Sequence, residues 1–224
     1  MKLKENSVVA IIDSGIGGIS ILKQLINKFG YGNYIYFADS ANMPYGSKEK
    51  DFIKDRVNKI INTLKSKYKV SIIIVACNTA SSLLNKKRQD DIVLLPFDKN
   101  KTYLATPLTK SNLKGYKVIA DETLARQIEQ NIFNKHELFQ IIKTHIKDLN
   151  LSKIKNLCLG CTHYELVGKV FKKLLPKTQI EYNSDTIIKS IEMEKCKELN
   201  VVFLTSRKDE NYTKTLRKIA FSKD

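Results

Sequence analysis

Two cysteines sit in closely matched settings. Ala76-Cys77-Asn78-Thr79-Ala80-Ser81 follows the apolar run Ser71-Ile72-Ile73-Ile74-Val75, and Gly160-Cys161-Thr162-His163-Tyr164 follows Asn156-Leu157-Cys158-Leu159. A short apolar run bounded by small and polar residues reads as a buried strand, so each thiol falls just past a strand's carboxyl end. A cysteine at a helix start has its thiolate favoured by backbone amides and the helix dipole, against an ordinary pKa of about 8.5. Each can therefore act as a nucleophile or a proton base.

Three chemistries compete for such a pair. Metal binding through the C-x-x-C of Cys158 and Cys161 wants a second pair of ligands, and Cys196 with one histidine makes a poor set. No metal site is expected. A thioredoxin-like role uses the same spacing, but here the first cysteine lies inside the strand, with its side chain alternating away from Cys161. The third option is proton transfer at carbon. If Cys77 and Cys161 face one another across a cleft, one removes a proton and the other returns one to the opposite face. Such a reaction needs no cofactor when fixed donors stabilise the carbanion-like intermediate. Ser14, Asn78, Thr79 and Thr162 are the nearby donors, and Asp13 and His163 the titratable neighbours.

The elements that must position these residues alternate between strand and helix. Val8-Val9-Ala10-Ile11-Ile12 reads as a strand ending in Asp13-Ser14-Gly15-Ile16-Gly17-Gly18, where glycines permit close backbone approach and free amides can hold a carboxylate. Asp13 can equally cap the helix that runs to Phe29. Tyr34-Ile35-Tyr36-Phe37-Ala38 is a second strand, leading to a loop in which Pro44 and Gly46 fix Tyr45. A helix spans 48–67 and delivers the chain to the Cys77 strand; after Ser81 a further helix is expected to about Arg88. Ile92-Val93-Leu94-Leu95 is a short strand stopped by Pro96. The polar stretch Asp98 to Lys101 is the expected crossing between domains.

In the second half, Thr106 and Thr109 follow a strand near Leu104-Ala105 and read locally as helix caps. One helical stretch is expected over 122–149, with His136 and His145 as surface or boundary residues. A helix follows Cys161 as far as Pro176. Strands at 180–183 and 201–205 enclose a helix expected from about Thr186 to Leu199. This order of elements argues for parallel βαβ units.

The chain of 224 residues is 42% hydrophobic and 28% charged, ordinary for a globular protein. No apolar run approaches the roughly 20 residues of a membrane span. The first residues lack the apolar core of a signal peptide, so the expected location is cytoplasmic. A net charge of +16 would suit a nucleic-acid partner, yet the lysines are scattered and arginine is scarce. Nucleic-acid binding is not expected as the main function.

Taken together, Ile12-Asp13-Ser14-Gly15-Ile16-Gly17-Gly18, Tyr36 to Gly46, Val75 to Ser81, Ala105 to Ser111 and Leu159 to Tyr164 resemble, in order, the motifs of the glutamate racemases within the aspartate/glutamate racemase superfamily. The resemblance implies two Rossmann-like α/β domains of parallel sheet, related by pseudo-symmetry, with the site in the cleft between them. The expected division is 1–97 plus about 181–224 for the first domain and 98–180 for the second. It implies cofactor-independent interconversion of L- and D-glutamate, with D-glutamate supplied to peptidoglycan, and a homodimer as the assembly. Cys77 and Cys161 would be the acid/base pair, assisted by Asp13 and His163. Asp13, Ser14, Tyr45, Gly46, Asn78, Thr79, Thr106, Thr109, Thr162 and His163 would bind substrate. The chain departs from the pattern between Tyr116 and Leu149, where an acidic loop is expected near the substrate and only Asp121-Glu122 stands out. A racemase of aspartate or another small acid, and a catalytically weak binding or regulatory protein on the same scaffold, stay open at this point.

Overall fold

A computed structural model describes residues 2–84, 91–194, 196–207 and 209–222. The first half runs β1 (Lys2–Leu3), β2 (Val8–Asp13), α1 (Ile19–Phe29), β3 (Gly32–Ala38), α2 (Lys50–Tyr68), β4 (Ile72–Val75), α3 (Asn78–Leu83) and β5 (Ile92–Leu94). The second runs β6 (Thr102–Ala105), α4 (Pro107–Asn112), β7 (Lys117–Ala120), α5 (Leu124–Asn131), α6 (Lys135–Asp148), β8 (Asn156–Leu159), α7 (Thr162–Leu166), α8 (Gly168–Leu174) and β9 (Gln179–Tyr182). The chain then returns through α9 (Asp185–Ser190), β10 (Glu192–Met193), β11 (Leu199–Thr205) and α10 (Glu210–Phe221).

Among the described residues two larger parallel sheets result, a five-stranded one in the order β11-β3-β2-β4-β5 and a four-stranded one in the order β7-β6-β8-β9, beside a two-stranded pairing of β1 with β10. Residues 8–12 and 72–75 are apolar without alternation because helices cover both faces of the first sheet. Val9, Ile11, Ile72 and Ile74 pack with α1 and α10, while Ala10, Ile12, Ile73 and Val75 pack with α2. In the second sheet Leu104, Leu157 and Leu159 pack under α5, α6 and α8.

Each sheet has one place where the winding reverses, and ligands in open α/β sheets bind there. In the first it lies between β2, whose connection leads out to β3, and β4, which leads out to β5. In the second it lies between β6 and β8 in the same way. Asp13 and Cys77 stand at the first reversal, Thr106 and Cys161 at the second. The fold is the expected pair of α/β domains.

Several local expectations are corrected. The stretch 122–149 is two helices, because Asn134 leaves the helical conformation and its side chain accepts the Glu137 N–H at 3.1 Å, starting α6 afresh. His145 on α6 is at the boundary, as expected, half-buried, contacting Asp121 and lying 2.7 Å from Gln127 Oε1. The helix expected to reach Leu199 stops at Ser190, since Glu192–Met193 is drawn into pairing with Lys2–Leu3. β7 has no counterpart in the sequence reading. α3 ends at Leu83, with Leu84 extended, and the rest of the helix expected to Arg88 lies outside the described residues.

Candidate active site

Both thiols line one cavity. Around it stand Ser14 from the β2–α1 turn, Pro44, Tyr45 and Gly46 from the loop after β3, Cys77, Asn78 and Thr79 from the β4–α3 turn, Thr106 before α4, Ala125 on α5, and Cys161, Thr162 and His163 from the β8–α7 turn. The cavity thus draws on the carboxyl ends of strands from both sheets. Of the residues singled out in the sequence, Asp13 and Thr109 alone stand behind this lining. Asp13 is fully buried, accepting the Gly15 N–H at 3.2 Å and the Thr162 hydroxyl at 3.2 Å. Thr109 lies 3.2 Å from Thr79 Oγ1 and 3.0 Å from Thr106 Oγ1, and those two are 3.1 Å apart, so three hydroxyls close a ring. Thr106 also caps α4, as its local sequence suggests, while facing the cavity.

Cys158 is buried but does not reach the cavity; it pairs in register with Tyr103 and Glu181. Burial pushes its thiol up to about 12.

Cys77 precedes α3, yet its surroundings do not favour a thiolate. Burial pushes the thiol up to about 12 and the Asp13 carboxyl adds to that, outweighing the Ala80 N–H and the Ser14 hydroxyl. This reverses the expectation drawn from helix position alone, because α3 is a short helix and Cys77 is only 6% exposed. Burial raises Asp13 as well, opposed by the charge of His163 and by the Gly15 and Gly18 amides.

The second thiol stands in different company. His163 Nδ1 lies 3.9 Å from the Cys161 sulfur, and His163 Nε2 lies 2.6 Å from Glu129 Oε2. Burial disfavours an imidazolium, but the contacts with Cys161 and Glu129 outweigh it and hold the ring well above its ordinary pKa. Burial would likewise raise Glu129, but His163, the Tyr212 hydroxyl and the Ile16 N–H hold it below the ordinary carboxylate value. Glu129 is the acid within 116–149 that reaches His163. The amides of the glycine turn hold a carboxylate, as their chemistry suggests, and it is the protein's own: Ile16 N–H donates to Glu129 Oε2 at 3.1 Å. Gly15 permits this docking, since a Cβ there would lie 2.7 Å from Glu129 Oε2, and Gly17 lets α7 approach, since a Cβ there would lie 2.5 Å from Thr162 Oγ1 and 2.6 Å from the His163 backbone nitrogen.

The lining is braced from outside. Asp39 is completely buried and takes a bidentate contact from Arg56 at 2.8 and 2.9 Å, together with the Tyr45 hydroxyl at 2.7 Å. Burial would raise its carboxyl, and these donors with Ser206 and Asn42 hold it low. Tyr45 therefore turns its hydroxyl away from the cavity, and its ring fills the core beneath the Tyr45-Gly46 backbone. Asn183 Nδ2 donates to Asn78 Oδ1 at 2.7 Å, leaving the buried Asn78 Nδ2 as an unpartnered donor beside the cavity. The sequence reading missed Glu129, Arg56, Asn183 and Tyr212 as supporting residues. An acid bordering the Leu124, Ile128, Ile132 stripe was the only local signal among them.

No family model matches the chain. A glutamate racemase of Buchnera aphidicola subsp. Schizaphis graminum is 35% identical over 81% of this chain and 82% of its own length. That of Buchnera aphidicola subsp. Acyrthosiphon pisum (strain Tuc7) is 33% identical over 92% of this chain and 93% of its own. The Escherichia coli glutamate racemase, solved in complex with L-glutamate and the activator UDP-MurNAc-ala, has a TM-score of 0.78 at 21% identity, covering 96% of this chain and 95% of that one. No helix among the described residues is long and apolar enough to cross a membrane. With identity at this level along nearly the whole length of its relatives, and a thiol at the winding reversal of each sheet, the chain belongs to the glutamate racemase family of amino-acid racemases.

Proposed function

We propose that this protein interconverts L- and D-glutamate without a cofactor, using Cys77 and Cys161 as the two acid/base groups. The observation that carries the reading is that these thiols, from equivalent strand ends of two separate sheets, line the same cavity. One sulfur takes the Cα proton as the other delivers its own to the opposite face, so the product is the mirror image and the proton count is unchanged. The burial that keeps Cys77 protonated suits it as the donor in one direction. His163, 3.9 Å from the Cys161 sulfur, is placed to hold or pass a proton there, and Asp13 serves Cys77 in the same capacity.

Substrate carboxylates would be held by Ser14, Asn78 Nδ2, Thr79, Thr162 and the Tyr45-Gly46 backbone, with Thr106 and Thr109 fixing Thr79 from behind. Glutamate as the substrate is supported by the names of the relatives, and a supply of D-glutamate for peptidoglycan follows from that substrate. The division into domains at 1–97 with about 181–224, and 98–180, belongs to the same proposal; the sheet membership of β2 to β5 and β6 to β8 supports it. A homodimer and a cytoplasmic location complete it.

Circular dichroism of each enantiomer of glutamate and aspartate, incubated separately with the protein, tests the reading. Glutamate of either hand should reach the racemate and aspartate should not. Cys77→Ser and Cys161→Ser should each lower turnover by about 10³-fold or more, in the range for loss of a general acid or base. Full turnover by either single variant would overturn the two-base account.

A further inference from the structure

The carboxylate that supports His163 is held from both domains. Glu129 on α5 meets His163 Nε2 at 2.6 Å and the Ile16 N–H at 3.1 Å through Oε2, while its Oε1 accepts the Tyr212 hydroxyl at 2.6 Å. Ile16 and Tyr212 come from the β2–α1 turn and from α10, both of which pack on the first sheet. Further along the same contact, Lys218 of α10 lies 4.3 Å from the Phe133 ring centroid, and Ile132 packs against the cores of both sheets. The C-terminal helix thus rests against the segment that carries Glu129. Tyr212 itself is not part of the cavity lining.

Building on the racemase reading above, we propose that Tyr212 is a positioning residue for proton transfer at Cys161: its hydroxyl, reaching from α10, fixes the Glu129 carboxylate in the orientation that pairs with His163. The physical case rests on the two oxygens of one carboxylate. Oε2 is shared by a ring nitrogen and a backbone amide, so turning the carboxylate plane about the last side-chain bond would break both contacts. The Tyr212 hydroxyl on Oε1 opposes that rotation, and being bound to a charged acceptor it is a strong contact. It also favours the anion, which in turn favours the charged imidazole. The other titratable groups facing Glu129 are Asp13 at the end of β2 and Tyr36 on β3, with Arg207 beside Tyr212. Asp13 is the only second carboxyl among these, and its charge would push Glu129 the other way.

Tyr212→Phe removes the hydroxyl and keeps the ring, and Tyr212→Leu removes both. In Tyr212→Phe, kcat should fall about tenfold, the size expected for losing a hydrogen bond to a charged group, with KM within about twofold because the cavity lining is untouched. The primary isotope effect with 2-deuterated glutamate should rise for one enantiomer only, since a single one of the two proton transfers is slowed. An NMR titration of the His163 ring, assigned against His163→Asn, needs no turnover; its midpoint should drop in Tyr212→Phe. A Phe variant with wild-type kcat and an unmoved midpoint, or one in which only Tyr212→Leu is impaired, would overturn the proposal. So would isotope effects that change alike for both enantiomers. A lowered midpoint in a protein that does not racemise glutamate would instead overturn the functional reading and leave the role of Tyr212 toward Glu129 standing.

Discussion

The two halves of this protein present the same backbone plan and set different titratable groups beside their thiols. Strand order 3-2-4-5 in the first sheet is matched by 7-6-8-9 in the second, and a cysteine follows β4 in one and β8 in the other. Cys77 has a buried carboxyl beside it and is driven toward the thiol. Cys161 has a buried imidazole beside it, held charged by Glu129. The difference teaches that a repeated fold can supply mirror-related geometry without supplying equivalent proton states. In a two-thiol inversion one sulfur must enter each turnover with the proton and the other without it, and a perfectly symmetric site would have no bias between its two loaded forms.

The strongest way to break this comparison is to remove each thiol's neighbour. Asp13→Asn and His163→Asn should each lower kcat by about 10²- to 10³-fold, as expected when a group that assists proton transfer is lost. Their effects on stability should differ. Asp13 is raised by burial, so a neutral amide replaces a group that folding already biases toward neutrality, and the cost should stay near 1 kcal/mol. His163→Asn leaves Glu129, its side chain 9% exposed, without its cation, and should cost about 3–5 kcal/mol. Adding Glu129→Gln should recover most of that stability and none of the activity. Urea unfolding alongside kcat reads both. Equal stability losses in the two single variants would show that the arms are electrostatically alike.

How far this asymmetry can be read from sequence depends on how local its causes are. The thiols, their strand ends and the donors beside them form contiguous stretches, so 71–81 and 156–164 carry their own message. The same is true of Thr106, whose cap and whose place at the cavity both follow from its position after β6. What decides the proton states is not contiguous. Glu129 reaches His163 across 34 positions, Tyr212 reaches Glu129 across 83, and Asn183 reaches Asn78 across 105. The raised Cys77 thiol is similarly a product of burial, which no helix-start rule contains. The short α9 has the same kind of cause: pairing of β10 with β1 overrides a helical pattern.

Gly17→Ala sharpens the comparison at the point where the arms touch. An added Cβ would meet Thr162 Oγ1 at 2.5 Å and backbone of the Thr162-His163 step within 2.8 Å, so α7 must move away from the first domain. Backbone cannot yield as a side-chain tip can. The expected result is a loss of about 1–3 kcal/mol in stability and of about 10²-fold in kcat, the scale of a 1 Å misplacement of reacting groups. Gly18→Ala instead meets the Asp13 Cβ at 2.8 Å and should disturb the Cys77 arm. Isotope effects for the two enantiomers should therefore move in opposite senses between these variants. If both variants shift them in the same sense, the arms are not separable.

The smallest effect expected on turnover comes from a second buried carboxyl that the reaction does not use. Glu165 on α7 accepts the Ser184 N–H at 3.1 Å and the Ser184 hydroxyl at 2.5 Å, and Gln24 of α1 donates to that same hydroxyl at 3.0 Å. Burial pushes it up to about 8, the Ser184 donors opposing, whereas Arg56 and the other donors to Asp39 hold that buried carboxyl low. The two groups must then affect stability with opposite sign. Between the unfolded value of 4.5 and about 8, the unfolded chain has released a proton that folded Glu165 keeps, so rising pH favours unfolding across that window. Asp39 does the reverse, its contribution being present at neutral pH and lost as the pH falls through its folded value. Glu165→Gln should remove a slope of up to about 1.4 kcal/mol per pH unit and make the protein more stable than wild type near pH 8, with kcat within about threefold. Urea midpoints at intervals from pH 5 to 8 measure it. Parallel curves for variant and wild type would mean that Glu165 is ionised in the folded protein, and that only the Cys77 half keeps a carboxyl biased toward neutrality.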